Sequence, residues 1–308
     1  MELLERVRAT GLLPRAAPVV VLLSGGRDST CLLDVAVALG ADVAALHVNY
    51  GLRGAASAAD EEHCRDLCDR LGVGLEVERA TAPEGGNLQA WARDVRYAAG
   101  ARLAAAAGAR LAAGHTESDQ VETILYRLAV SPGRRALLGM DPAGGRLVRP
   151  LLAAGATREE TASWCLERGL AWREDASNLD RAFARARVRE DLLPALRAVD
   201  PRAEANLLRT AEVLREEAAV LDEVVATALA GRDRISVEKL GRLPPALGRL
   251  VLRRLCEDAT GRLCPRAPAR LGEVLALADG ALDLGDGARA VVEAGVLRVD
   301  RTPPLPAR

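Results

Sequence analysis

The sequence predicts an α/β protein, with a parallel sheet flanked by helices and a small, mainly helical C-terminal domain that ends in strands. Three observations predict it. From Pro18 to about Leu152 short apolar runs alternate with longer amphipathic stretches, as strands joined by crossover helices do. The run Val19-Val20-Val21-Leu22-Leu23 passes straight into Ser24-Gly25-Gly26-Arg27-Asp28-Ser29, and an apolar helix begins near Thr30. After Pro201 the composition shifts to one long helical stretch, and then to short helices punctuated by Pro244-Pro245 and Pro265.

The elements follow in order. Strand-like runs are Val19 to Leu23, Val43 to Val48, Leu75 to Val77 and Leu111 to Ala113, each followed by a loop and a helical segment. In the second of these helices Ser57 is the expected cap, Asp60, Glu61 and Glu62 suit the positive N-terminal end, Leu67 and Leu71 face the sheet, and Gly72 follows the end. Thr157 with Glu160 forms a capping box for a helix through Trp164 and Cys165 that Gly169 stops. From Ala203 to Ala230 the positions Leu207, Leu208, Ala211, Leu214, Ala218 and Leu221 mark one apolar stripe. The expected divisions are 1–200, a connecting helix over 201–230, and a small domain over 231–308 whose glycine-rich Gly280 to Gly287 leads into strands.

A length of 308 residues suits one large domain with a smaller one. No apolar run approaches the roughly 18 residues that a membrane span needs, and Met1 to Arg6 is acidic and amphipathic where a secretory signal would be basic and then apolar. A cytoplasmic protein without membrane partners is expected. The six cysteines, Cys31, Cys64, Cys68, Cys165, Cys256 and Cys264, show no CxxC pair, so reduced, buried thiols are expected. The net charge of -1 gives no global field for nucleic acid, which leaves local patches. Arg181, Arg185, Arg187 and Arg189 make such a patch, and guanidinium groups grip phosphate oxygens with two donors at once.

Strand, glycine loop and helix N-terminus together form an anion site, because backbone N–H groups approach the oxygens closely and the helix end carries positive potential. Ser24 and Ser29 add hydroxyl donors. No GxxxxGK[ST] occurs, so this is not the loop of γ-phosphate chemistry. The SGGxDS string resembles the pyrophosphate loop (PP-loop) of the N-type ATP pyrophosphatases, which cleave ATP between the α and β phosphates and pass AMP to an oxygen. The resemblance implies a Rossmann-like fold of the adenine nucleotide alpha hydrolase type, with 1–200 as the catalytic domain. It also implies ATP held by Ser24, Gly25, Gly26, Arg27, Asp28 and Ser29, with Asp28 close to the phosphates and helping to hold Mg²⁺. Carboxylates beside a triphosphate need such a cation.

Further segments are similar to the tRNA(Ile)-lysidine synthetase family. They are His47-Val48-Asn49-Tyr50-Gly51-Leu52-Arg53, Ala92-Arg93-Asp94-Val95-Arg96-Tyr97 against ARxxRY, and Gly114-His115-Thr116-Glu117-Ser118-Asp119-Gln120-Val121-Glu122-Thr123 against HHxxDQxET. Glu174 to Asn178, then Phe183 to Arg189 and Pro194-Ala195-Leu196, resemble the RNxIR and PxL stretch. The family pattern differs at Tyr50, Gln89, Thr116 and Ala186. The resemblance implies nucleotide contacts from His47, Asn49, Gly114 and His115, Arg96 facing the ATP phosphates, and Arg185, Arg187 and Arg189 on tRNA. Asp119 and Glu122 stand three apart on one helix face. They suit a lysine substrate, whose ε-ammonium must lose a proton before it attacks.

The implied reaction is ligation of L-lysine to C2 of the wobble cytidine of tRNA(Ile) bearing a CAU anticodon, through an adenylylated cytidine, with ATP going to AMP and pyrophosphate. Leu284-Gly285-Asp286-Gly287 resembles the small domain of short-form members, and a homodimer is suggested by the family alone. Two alternatives stay open, a related tRNA 2-thiolase and a non-catalytic module that binds ATP or tRNA. Consumption of lysine or of a sulfur donor separates the first, and ATP bound without cleavage marks the second.

Overall fold

The computed structural model describes residues 2–131, 134–174 and 184–303, so Pro132, Gly133, Asp175 to Phe183 and with them Arg181 lie outside the described residues. The chain divides into two units, Met1–Leu214 and Arg215–Arg308.

In the first unit α1 (Leu3–Ala9) precedes β1 (Pro18–Leu22), α2 (Arg27–Ala38), β2 (Asp42–Asn49), α3 (Ala55–Leu71), β3 (Gly74–Arg79), α4 (Leu88–Ala106) and β4 (Arg110–Ala113). Then come α5 (Glu117–Val130), α6 (Arg134–Leu137), the short β5 (Ala143–Gly144) and β6 (Leu147–Val148), α7 (Pro150–Ala153), α8 (Arg158–Glu167), α9 (Ala184–Arg187), a π-helical turn at Val188–Leu192, and α10 (Leu193–Val199). The sheet order is β3-β2-β1-β4-β6-β5, parallel throughout except for β5 against β6.

β1 is a continuous apolar run because both of its faces are covered. Val19, Val21 and Leu23 join a core with Cys31, Leu32 and Val35 of α2. Val20 and Leu22 pack with Ala99 and Ala104 of α4 and Leu111 of β4. The chain builds outward from β1 through β2 and β3, then returns to the other side of β1 with β4. The carboxyl ends of β1 and β4 therefore flank the point where strand order reverses, the place where such sheets open a binding crevice.

Helix α3 starts earlier than its sequence suggests. Gly54, at φ +52°, turns the chain so that Ala55 is already helical. Ser57 thus lies inside the first turn, where its Oγ accepts a bond from Arg53 N at 3.1 Å and caps nothing. Asp60 and Glu61 are buried, not spread at a solvated helix end. Gly72 does end the helix in the left-handed conformation, and the capping box of Thr157 and Glu160 opens α8.

Helix α11 (Ala203–Leu229) carries the boundary between the units. Within the first unit Leu207 and Leu208 pack on Val121, Leu125, Val188 and Leu193. The second unit adds β7 (Arg234–Ser236), α12 (Val237–Arg242), α13 (Pro245–Thr260), α14 (Leu271–Ala276), β8 (Gly280–Gly285), β9 (Ala288–Glu293) and β10 (Val296–Arg301). Its strands form an antiparallel sheet in the order β7-β10-β9-β8. Val251, Leu252 and Leu255 of α13 share a core with Ala290, Val292 and Leu297. Among the described residues no helix is long and apolar enough to cross a membrane.

Candidate active site

The loop after β1 is stitched by its own hydroxyls. Ser29 Oγ donates to Gly26 O at 2.8 Å and lies 3.1 Å from Ser24 Oγ, which in turn accepts from Gly26 N at 3.4 Å. Ser24 N donates back to Ser29 Oγ at 3.2 Å. Ser24 and Ser29 therefore shape the loop from within. No side chain caps α2 at Gly26, which leaves its first-turn N–H groups to an anion. Behind the loop, the position a Cβ would take on Gly25 is 3.2 Å from Cys64 Sγ and 3.3 Å from His63 Cδ2. Adjacent on α3, both side chains nevertheless reach the same glycine. Arg173 closes the far side, its N donating to Gly25 O and its Nε to Asp60 Oδ1, each at 2.9 Å.

Asp28 stands in the first turn of α2. Its Oδ1 accepts from Arg27 Nε at 3.1 Å and from the Thr161 hydroxyl of α8. The Arg27 guanidinium is thus turned onto its own loop. Gly114, just after β4, lies so close to α2 that a Cβ there would sit 2.8 Å from Asp28 O and 3.0 Å from Ser29 N. Backbone cannot yield at such a distance. Gly114→Ala is expected to cost about 1–3 kcal/mol and to weaken nucleotide binding, measured by urea unfolding alongside ATP titration; an unchanged pair of values would reject this contact.

Asp119 is the third residue of α5, and its carboxylate closes a capping box. Oδ2 accepts from Thr116 N at 2.8 Å and from Thr116 Oγ1 at 3.0 Å. Thr116, a departure from the family pattern, is the buried N-cap of that helix. The other oxygen, Oδ1, meets Arg158 at 3.4 Å. Burial and then the nearby Asp28 charge raise the pKa of Asp119.

Glu122 is buried and fully engaged. Arg189 grips it with two donors at 2.6 and 2.9 Å, and Arg158 adds a contact at 3.1 Å. Burial alone would raise its pKa, but the two arginines win and lower it. In this structure the Glu122 oxygens are taken by guanidinium groups, and Arg189 is drawn toward that carboxylate from the π-helical turn and is only partly exposed. Arg185 and Arg187 remain exposed on α9.

Between β4 and β6 the crevice is strongly basic. Arg149 is buried, donates from Nε to His115 Nδ1 at 3.3 Å and from NH1 to Asp141 O at 2.6 Å. Burial, followed by the charges of Arg149, Arg96, Arg93 and Arg185, pushes His115 down to about 3. Arg93 and Arg96 lie over the Tyr97 ring at 4.9 and 5.5 Å, and Arg96 Nε is buried without a hydrogen-bond partner among the described residues.

His47 and Asn49 turn inward. His47 Nδ1 lies 3.0 Å from Leu23 O with the ring buried, so it holds the strand end that precedes the loop. Asn49 donates to Glu61 at 2.9 Å and accepts from Gly51 N at 2.9 Å. His47 Nδ1 and the Asn49 amide are thus engaged by protein. Tyr50 likewise donates to Ala92 O at 3.0 Å and stands edge-on to Trp91.

The sequence did not single out Arg149, Arg158, Thr161 or Arg173, and it carried Gln120 within the HHxxDQxET match without a role. Gln120 is buried and satisfies both backbone groups of Met140, at 2.9 and 2.7 Å. The only local signal was the capping box beside Arg158; the other partners are distant in sequence.

A glycine phosphate loop at the switch point of a parallel sheet, faced by carboxylates and arginines, defines a nucleotide-binding domain of the PP-loop type. The PP-loop domain family matches residues 4–196. Among similar curated proteins is the tRNA(Ile)-lysidine synthase of Symbiobacterium thermophilum, 37% identical over 99% of this chain and 70% of its own length. That of Geobacter sulfurreducens is 38% identical over 84% of this chain and 60% of its own length. The chain belongs to the tRNA(Ile)-lysidine synthase family of PP-loop proteins. It spans about three fifths of the length of the Geobacter relative. Among solved structures the U34-tRNA thiolase NcsA of Methanococcus maripaludis superposes with a TM-score of 0.59 at 17% identity, covering 70% of this chain and 78% of that one, a likeness of fold.

Proposed function

We propose that this chain ligates L-lysine to C2 of the wobble cytidine of tRNA(Ile) with a CAU anticodon, by way of an adenylylated cytidine, releasing AMP and pyrophosphate. The observation that carries the reading is one crevice in which the phosphate loop and Asp28 face Asp119 on α5, with the arginines around His115 beside them. The loop and the first turn of α2 hold the phosphates. Arg96, whose buried Nε has no hydrogen-bond partner among the described residues, faces the same anion. Arg185 and Arg187 meet the tRNA backbone.

The site fits Mg²⁺. Asp28 Oδ1 is bonded within the protein, Oδ2 is the oxygen that would meet the cation, and this ion is commonly held by one or two carboxylates plus phosphate oxygens. Bound there, it would neutralise charge on the triphosphate. Asp119 is the amine's partner. A carboxylate whose pKa is raised by burial and a neighbouring charge is the stronger base for an ammonium proton. Glu122 acts indirectly, fixing Arg158 and Arg189 around that carboxylate.

Sulfur transfer is less well supported. Burial pushes the thiols of Cys64 and Cys68 up to about 12 and about 11, which disfavours these two as thiolates. Among the described residues no group of three or more metal-ligating side chains occurs.

The test incubates the purified protein with ATP, Mg²⁺, lysine and a tRNA(Ile) transcript carrying CAU. AMP and pyrophosphate should appear in step with a lysine adduct on that cytidine, seen by mass spectrometry. ATP bound but never cleaved would leave a binding module, and a product bearing sulfur would replace the ligase reading. Asp119→Asn keeps an oxygen for the Thr116 cap while removing the charge. It should lower lysine transfer about tenfold or more while sparing pyrophosphate release; equal loss in both steps would remove Asp119 from the amine.

A further inference from the structure

We infer that Arg149 is a positioning residue that locks His115 in its neutral Nε2–H form, so that His115 serves the site as a fixed hydrogen-bond donor to an oxyanion and not as a proton shuttle. The argument is one of donors and acceptors. A guanidinium has only N–H donors and keeps its proton in proteins. Arg149 Nε points at His115 Nδ1 at 3.3 Å, so Nδ1 must offer a lone pair. The single ring proton then resides on Nε2. An imidazolium would set N–H against N–H.

Arg149 cannot swing away to relieve such a clash. It is buried, its NH1 is tied to Asp141 O at 2.6 Å, and its own N donates to Pro142 O at 2.7 Å. The adjoining Met140 is clamped on both backbone groups by Gln120. The charged groups that act most strongly on His115 share one sign: Arg149 before α7, Arg93 and Arg96 on α4, and Arg185 on α9. Each disfavours a second proton on the ring, and burial acts in the same direction.

The ligand class follows from the surroundings. A neutral N–H donor among guanidinium groups suits a phosphate oxygen, or an oxygen that gains negative charge as a phosphoryl group transfers. The ligand assignment rests on the adenylylation reading. The tautomer does not.

The chain holds three histidines, so ring nitrogen resonances of ¹⁵N-histidine-labelled protein are assignable with His63→Gln and His115→Gln. In the intact protein Nδ1 of His115 should read as a lone-pair nitrogen and Nε2 as an N–H nitrogen, unchanged from pH 5.5 to 8. A proton on Nδ1, or a titration near the ordinary value of about 6.5, would overturn the assignment. Arg149→Met should free the ring to exchange tautomers, and an unchanged fixed tautomer in a folded Arg149→Met protein would also overturn it.

If that variant does not fold, two His115 substitutions carry the test. His115→Gln places an amide N–H near the Nε2 position and should keep pyrophosphate release within about tenfold of the parent. His115→Asn places it near Nδ1 and should lose on the order of 10²–10³-fold; the reverse order would refute the donor role. A protein with the fixed tautomer that releases no pyrophosphate would overturn the adenylylation reading alone.

Discussion

Pyrophosphate release should fall on the order of 10³-fold in Asp28→Ala and nearly as far in Asp28→Asn, the scale of losing a group that stabilises developing charge. The two variants separate charge from shape. Asparagine keeps an oxygen that can accept from Arg27 Nε and the Thr161 hydroxyl, as Oδ1 does now. Only the negative charge is lost. If Asp28 works by holding a cation against the triphosphate, both variants fail, and both fail in the first partial reaction, before lysine is added. The fold should persist, because the Asp28 side chain is partly exposed and pairs with a neighbouring residue of its own helix. Thermal unfolding and pyrophosphate release measured on the same preparations decide it. Wild-type release from Asp28→Asn would place Asp28 outside the chemistry.

Glu122→Ala should be the most damaging change to stability at the site. The carboxylate is 3% exposed and holds Arg189 and Arg158, whose side chains are 27% and 22% exposed. Removing one member of a buried pair strands the other charge, at a cost of about 3–5 kcal/mol. Partial solvent access to both arginines favours the lower end. The pH dependence has a definite sign. The pKa of Glu122 is lower in the folded protein than its usual value, because its arginines outweigh burial. Its contribution is therefore present above the unfolded value of about 4.3 and lost as pH falls through the lower folded value. The gap between parent and variant should be largest at neutral pH and narrow below about pH 4. Urea unfolding at several pH values checks this, and a gap under about 0.5 kcal/mol at pH 7 would show that the pair is dispensable.

Much of the fold was legible because its signals are local. The strand before Leu23, the glycine turn after it and the capping box at Thr157 each lie within a few residues and form where expected, although the helix after the turn begins at Arg27 and so takes in Arg27, Asp28 and Ser29, which the sequence placed in the loop. Ser57 misled because a left-handed Gly54 starts the helix sooner, and the conformation of a glycine is not written in its neighbours. β5 and β6 are two residues each, too short to leave a period-2 pattern.

The site was legible in its residue types and less so in its pairings. SGGxDS and the segment from His115 to Thr123 do come together at the ends of β1 and β4. What each carboxylate does there depends on residues far along the chain. Arg158 and Arg189 claim Glu122, Thr161 claims an oxygen of Asp28, and Arg149 claims His115. Spacing places Asp119 and Glu122 on one face, yet one is the closing residue of a cap and the other the centre of a buried ion cluster. The Thr116-x-x-Asp119 spacing carries the first of these locally, while the second depends on arginines distant in sequence.

The contact at Gly114 has a thermodynamic consequence for ligand affinity. Because no side chain fits between its backbone and the carbonyl of Asp28, the anion-binding turn and the segment that leads to Asp119 are packed backbone to backbone. Two flexible half-sites would each surrender conformational freedom when a nucleotide arrived. Here that ordering is completed when the chain folds, so more of the interaction with a bound nucleotide remains as affinity.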